Sequence, residues 1–228
     1  MKRKKHPPFS VVIPTMWRPA TFIQLLQQLD ASDDVMEVVV IDNARDQRPR
    51  LPVLSKLRLI DQGENLYVNP SWNLGVSMAK STAVCLCNDD VLIADNLLGF
   101  MRTQPLRRIT GLDPWSYSQP IDAPPTPRVK LGADIIHNWG SVLFFRRDRY
   151  CPIPDPLRIW WGDAWLAQEM GPAYKVRSAI HTPHSETAGA PEFKSVTTSD
   201  TELWEYQYRT APSLSRRLHR RLLALFVD

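Results

Sequence analysis

Apolar residues along this chain fall into short runs that end in polar or acidic positions. Residues 9–15 (Phe-Ser-Val-Val-Ile-Pro-Thr), 37–43 (Glu-Val-Val-Val-Ile-Asp-Asn) and 81–87 (Ser-Thr-Ala-Val-Cys-Leu-Cys) each read as a buried strand. Runs of this length, rich in β-branched residues and bounded by polar ones, fit the centre of a sheet. Between the first two, Phe22, Leu25, Leu26 and Leu29 recur at helical spacing. Before the third, residues 69–79 (Asn-Pro-Ser-Trp-Asn-Leu-Gly-Val-Ser-Met-Ala) read as a helix entered through a proline turn. Alternating strands and helices are the mark of a parallel sheet. Further on, 140–146 and 173–180 read as strands, and 159–166 opens a helix. The predicted class is α/β: a Rossmann-like, mostly parallel sheet flanked by helices, with a C-terminal helical extension.

The third strand runs straight into Asn88-Asp89-Asp90. Open α/β sheets bind ligands outside the carboxyl ends of their strands. Two carboxylates there can hold a hard cation, and that cation can clamp a diphosphate. Asn and Asp are also ordinary turn formers, which alone would account for them. The second strand likewise ends in an acid, Asp42, so two β–α–β units deliver carboxylates to one sheet edge.

Taken in order, Val12-Ile13-Pro14-Thr15, Ile41-Asp42-Asn43, Asn73-Leu74-Gly75 and Asn88-Asp89-Asp90 resemble a GT-A-fold glycosyltransferase of the family 2 type. The phrases Ile13-Pro-Thr-Met-Trp17, Val68-Asn-Pro-Ser-Trp-Asn-Leu-Gly75 and Ile159-Trp-Trp-Gly-Asp163 are closer still to small glycosyltransferases of tailed bacteriophages. The resemblance covers roughly 9–187 and divides the chain into three parts. A basic tail occupies 1–8. The domain at 9–187 has a donor half at about 9–95 and an acceptor half at about 130–187, and the extension is 188–228.

The resemblance implies a nucleotide-sugar donor, a UDP-sugar first, and a metal-dependent, inverting transfer to a hydroxyl. Pro14, Thr15 and Trp17 would line the nucleotide pocket, and Asp42 would bind the base or ribose. Asn73 and Gly75 would bring their helix near the donor. Asp89 would contact the ribose, the sugar or a metal-bound water, and Asp90 would ligate Mn2+ or Mg2+ directly. A third ligand would come from His181 or His184. On the acceptor side, Trp139 and Gly140 would wall the sugar, with Trp161 nearby. Asp163 would be the general base, although a residue near a helix start is also a ready cap. Relatives carry two adjacent acids here, whereas this chain has Asp163 followed by Ala164.

Composition constrains the partners. The 228 residues carry a formal charge of +4, and basic clusters lie at 2–5, 146–149 and 216–221. The acceptor is therefore open among a hydroxymethylated pyrimidine in DNA, a cell-surface or other glycan, and no acceptor at all in a catalytically impaired nucleic-acid-binding protein. Leu214, Leu218, Leu222 and Leu225 form a stripe among arginines, so the 213–228 helix either packs on the domain or lies on a membrane surface. No apolar run is long enough to span a bilayer, and the three cysteines do not suit a disulfide framework. A reducing cytoplasm, the host's if the chain is phage-encoded, is the expected location.

Overall fold

The computed structural model describes residues 5–132, 139–171, 173–182 and 189–209. Its eight-stranded sheet has the order β3-β2-β1-β4-β8-β6-β9-β7. The strands are β1 (Phe9–Thr15), β2 (Val35–Asp42), β3 (Leu57–Asp61), β4 (Ala83–Cys87), β6 (Thr110–Leu112), β7 (Arg128–Leu131), β8 (Val142–Arg146) and β9 (Tyr174–Arg177). A separate two-stranded ribbon pairs β5 (Leu92–Ile93) with β10 (Ile180–His181). The helices are α1 (Phe22–Ala31), α2 (Val68–Met78), α3 (Asp95–Met101), α4 (Gly162–Glu169) and α5 (Lys194–Leu203). The four strands β3, β2, β1 and β4 are all parallel. Beyond them β4–β8, β8–β6 and β9–β7 are antiparallel, while β6–β9 is parallel.

Both faces of the sheet are covered, and the strand alternation sorts the core into two layers. Val11, Ile13, Val38, Val40, Cys85 and Phe144 pack with α1 and α3 on one face. Val12, Val39, Ile41, Val84, Leu86 and Phe145 pack with α2 and α4 on the other. Burial on both faces makes β1, β2 and β4 read as continuous apolar runs. Helix α2 comes unusually close to β1: a Cβ on Gly75 would stand 2.2 Å from Val12 Cγ1. Cys85 and Cys87 share a face as buried free thiols, and burial pushes the Cys85 thiol well up.

Three strands carry too little pattern to be read from sequence. β3 is only half-buried along its length, β6 has three residues, and β7 is an edge strand with charged residues. The strand expected over 173–180 is divided in two. Ser178 N–H turns to Ser116 Oγ (3.0 Å) and the Ala179 carbonyl accepts from Ala94 N–H (3.2 Å), so the chain leaves the main sheet for β5. Helix α5 begins the C-terminal extension. The leucine-striped 213–228 segment and residues 1–4 lie outside the described residues. Among those described, no helix is long and apolar enough to cross a membrane.

At the opposite edge of the sheet, Glu37 is buried and accepts from Ser10 Oγ (2.6 Å), Lys80 N–H (2.6 Å) and Arg58. Burial alone would raise its pKa. The three donors and the Arg58 charge outweigh that and hold the carboxyl below its usual range. A lowered folded-state pKa stabilises the fold above the unfolded value and loses that contribution as pH falls through the folded one. Glu37→Gln should therefore cost about 1–3 kcal/mol at pH 7. Denaturant melts should show that gap closing below about pH 4, where the wild type loses the same charge.

Candidate active site

β1 and β2 end level with one another, Thr15 beside Asp42 in register, and β4 ends on the same side of the sheet. The Thr15 hydroxyl accepts from Trp17 N–H (2.8 Å) and donates to Asp89 Oδ2 (2.7 Å), so one side chain joins the ends of two strands. Trp17 turns back with φ of 61° and donates its indole N–H to Asp42 Oδ1 at 2.7 Å. Ala44 N–H reaches the same oxygen at 3.0 Å. The other oxygen of Asp42 is buried with no hydrogen bond among the described residues, and Arg48 stands 3.6 Å away. Asp42 lines a cavity of about 410 Å³ together with Met16, Asn43, Asp61 and Asn65. That volume lies within the range of small-molecule sites. Pro14 is buried within β1.

Asp89 and Asp90 follow β4, each 9% exposed. Burial pushes the Asp89 carboxyl up to about 7; the Thr15 hydroxyl opposes this, the Asp90 charge adds to it, and its own and the Met16 N–H oppose it. Among the described residues no Lys or Arg forms an ion pair with Asp89. Adjacent buried carboxylates of like charge are a hard, oxygen-only donor set that fits Mn2+ or Mg2+. The ribbon brings the late histidine segment alongside: His181 pairs with Leu92, two residues beyond Asp90. The His181 side chain is exposed, and His184 lies outside the described residues. Among the described residues no three His, Cys, Asp or Glu groups form a complete metal cluster.

The acceptor half meets these acids through one backbone bond. Asn88 N–H donates to the Ser141 carbonyl at 2.9 Å, extending the β4–β8 pairing. The preceding residue, Gly140, is the seat of Asp163. A Cβ at Gly140 would lie 2.6 Å from Asp163 Oδ2 and 2.7 Å from its Cβ. Asp163 occupies the first turn of α4 and accepts from Ala164 N–H at 2.8 Å. Burial pushes its pKa up, against the opposing N–H groups of Ala164 and its own residue.

Tyr117 is the residue that sequence reasoning missed. It comes from a 3-10 turn, Pro114–Ser118, inside a stretch whose prolines look like plain loop. Asp113 caps that turn by accepting Trp115 N–H (3.0 Å). The Tyr117 hydroxyl donates to Ser141 Oγ at 2.9 Å. Burial pushes its pKa up, Ser141 opposes this, and the charges of Asp90 and Asp163 both add to it. It therefore stays a protonated donor within reach of both acids' fields. No periodic pattern marks it; a Tyr next to a capped Asp-Pro turn was the sole signal.

Other expected residues have structural duties. Trp139 is 0% exposed, donates to the Tyr174 carbonyl (3.2 Å) and lies over Gly111, where a Cβ would be 2.4 Å from the ring. It is a core residue with no exposed surface. Trp161 donates to Thr201 Oγ1 (3.1 Å) and stacks on Trp204 with centroids 5.6 Å apart and planes 2° from parallel. Asn73 accepts from Tyr150 OH (2.7 Å) and Ile153 N–H (2.9 Å) and donates to the Ile153 carbonyl (2.8 Å). It fastens the segment after β8, and Gly75, two residues on, packs on Val12.

No family model and no curated protein matches the chain. Solved structures do. The mannosyltransferase PcManGT from Pyrobaculum calidifontis, in complex with GDP-Man and Mn2+, matches with TM-score 0.61 and 15% identity, over 98% of this chain and 72% of that one. GalNAc-T7 with UDP, GalNAc and Mn2+ matches with TM-score 0.59 and 11% identity, over 89% of this chain and 50% of that one. S. aureus TarS 1-349 matches with TM-score 0.54 and 12% identity, over 96% of this chain and 78% of that one. The chain has the GT-A fold. At these identities the likeness carries the architecture, and the chain spans half the length of the GalNAc-T7 structure.

The paired acids make a direct forecast. Mn2+ should raise the melting temperature, because a ligand bound only by the folded state adds about 2.7 kcal/mol at a hundredfold excess over Kd. Thermal melts of Asp90→Ala should show no Mn2+ shift and a fold otherwise intact.

Proposed function

We propose that this protein is an inverting glycosyltransferase that moves a sugar from a nucleoside-diphosphate donor to a hydroxyl acceptor. The observation that carries this reading is the seating of Asp163 on Gly140, one backbone hydrogen bond away from the Asp89–Asp90 pair. A candidate base and a candidate cation site thus come from opposite halves of the sheet, and the charges of Asp90 and Asp163 both act on Tyr117. Asp42, steadied by Trp17, takes an N–H or hydroxyl of the nucleoside in the cavity it lines. A UDP-sugar is the first donor to test.

Asp90, with Asp89 and a histidine at 181 or 184, would hold the divalent cation. When bound, that cation offsets the charge developing on the departing diphosphate. Asp163 takes the acceptor hydroxyl's proton as that oxygen bonds to the anomeric carbon. The bond from that carbon to the diphosphate breaks on the opposite face, which inverts the configuration. The burial that raises the Asp163 pKa improves it as a base, since proton acceptance is most effective when the pKa approaches the working pH. Ala164, where relatives carry an acid, contributes its N–H to orient Asp163.

A specific surface favours a phosphate-bearing acceptor. The β7–β9 register sets Arg128 opposite Arg177 on a face that also carries Lys130, whereas Lys175, opposite Lys130, is buried. Like charges directly opposed destabilise a sheet, and a bound polyanion relieves that cost. Asp113 pairs with Lys130 (2.7 Å) and Arg177 (3.7 Å), and Arg177 lies 5.4 Å over the Trp115 ring, two residues from Tyr117. We take hydroxymethylated DNA as the acceptor, with the pyrimidine extruded or single-stranded to reach the cleft.

Two experiments test this reading. Asp163→Asn should lower kcat about a hundred- to ten-thousandfold while nucleotide binding persists; turnover within a few-fold of wild type would move the base elsewhere. Ala164→Asp should leave the rate near wild type, and a large gain would show that Asp163 is a poor substitute for the missing acid. Binding to hydroxymethylated DNA should fall steeply with salt, and Arg128→Gln with Arg177→Gln should reduce the log–log slope by about 1–2. A flat salt response, with transfer to a neutral glycan, would replace DNA as acceptor. DNA binding without sugar transfer from any donor would leave a binding protein.

A further inference from the structure

We propose that Asp200 is a positioning residue for the transfer: acting from α5, it sets the loop that presents Asp163. The inference rests on Asp163 being the base. Asp200 is 1% exposed, and its carboxylate accepts three consecutive backbone N–H groups, from Arg158 (2.9 Å), Ile159 (2.7 Å) and Trp160 (2.8 Å). Hydrogen bonds to a buried charged acceptor are among the strong ones. From the opposite side, Asn69 at the start of α2 donates its side-chain N–H to the Trp160 carbonyl (3.0 Å) and its backbone N–H to the Arg158 carbonyl (2.9 Å).

The loop between these two clamps has little freedom left. Trp161 is held at φ of 66°, a conformation uncommon for a bulky residue, with its ring stacked on Trp204 and its N–H on Thr201. A Cβ at Gly162 would lie 2.1 Å from Asn69 Oδ1, so the backbone passes where no side chain fits. Asp163 comes next.

Helix α5 docks through apolar residues at its two ends, Phe193 and Leu203–Trp204, and through polar ones between them. Its fully buried residues are Thr197 and Asp200, both polar. It is tied at its start to the donor edge, where Glu192 pairs with Arg18 (2.6 Å) and Phe193 meets the Tyr67 ring edge-on at 6.2 Å. The segment 191–204 thus straps the loop after β1 to the loop before α4. A general base placed an ångström off loses much of its advantage, so a clamp on its loop acts on turnover.

Asp200→Asn keeps the shape but leaves one acceptor oxygen for three N–H donors. We expect kcat to fall at least tenfold, with the KM for the nucleotide sugar and the affinity for UDP within twofold of wild type. The double variant with Asp163→Asn should turn over no more slowly than Asp163→Asn alone, because both changes act through one carboxylate. Thr201→Val, which removes the acceptor for Trp161, should lower kcat in the same direction by less, and it carries the test should Asp200→Asn not fold. Wild-type kcat in Asp200→Asn, a parallel loss of UDP affinity, or additive losses in the double variant would overturn the inference. Wild-type turnover in Asp163→Asn would instead overturn the base assignment, and the positioning role with it.

Discussion

The antiparallel join between β4 and β8 is the constraint on which the candidate site depends. Cys87 pairs with Val142, and the next bond, from Asn88 N–H to Ser141, carries the pairing to the edge. Burial on both faces locks that register. Cys85 opposite Phe144 and Cys87 opposite Val142 lie in one layer, while Leu86 opposite Leu143 lies in the other. A slip of one residue would send every side chain to the wrong layer. The acids after β4 and the glycine before β8 must therefore meet, and Asp163 can sit only where Gly140 leaves room for it.

Backbone strain collects at the same edge. Trp17, Tyr67 and Trp161 are the non-glycine residues with positive φ among those described, and each flanks a loop at the sheet's ligand side. Such conformations cost on the order of 1–3 kcal/mol each and survive where surrounding contacts overdetermine them. Trp17 is held through Thr15 and Asp42, Tyr67 through Asn65 and Ser71, and Trp161 through Thr201 and Trp204. Bulky aromatics held in these positions make the loops rigid.

Electrostatics divide the molecule by purpose. Glu37, at the far edge, is satisfied by an arginine, a hydroxyl and an N–H, and its carboxyl is held low. Asp89 and Asp163, at the near edge, are held high by burial, with Asp90 adding its charge to Asp89. Identical chemistry stabilises the fold at one end and stays under-compensated at the other. Arg128 and Arg177 on the β7–β9 face, with Arg177 over the Trp115 ring, add positive charge beside that edge.

The sequence by itself determined β1, α1, β2, α2 and β4, because their burial has a local period that can be counted along the chain. It also placed Asp42 and the Asp89–Asp90 pair at strand ends, since a strand's end is where its apolar run stops. Only the tertiary structure decided the rest. Gly140 and Asp163, 23 positions apart in sequence, meet because β8 and α4 pack together. Trp139 and Trp161 looked like acceptor-facing aromatics, yet one fills a hole over Gly111 and the other stacks on Trp204. The cationic face joins residues from two strands that are separate in sequence, and Tyr117 and Asp200 act through partners far along the chain. Such roles leave no periodic trace, because hydrogen bonding and close approach depend on distances in space and not on spacing along the chain.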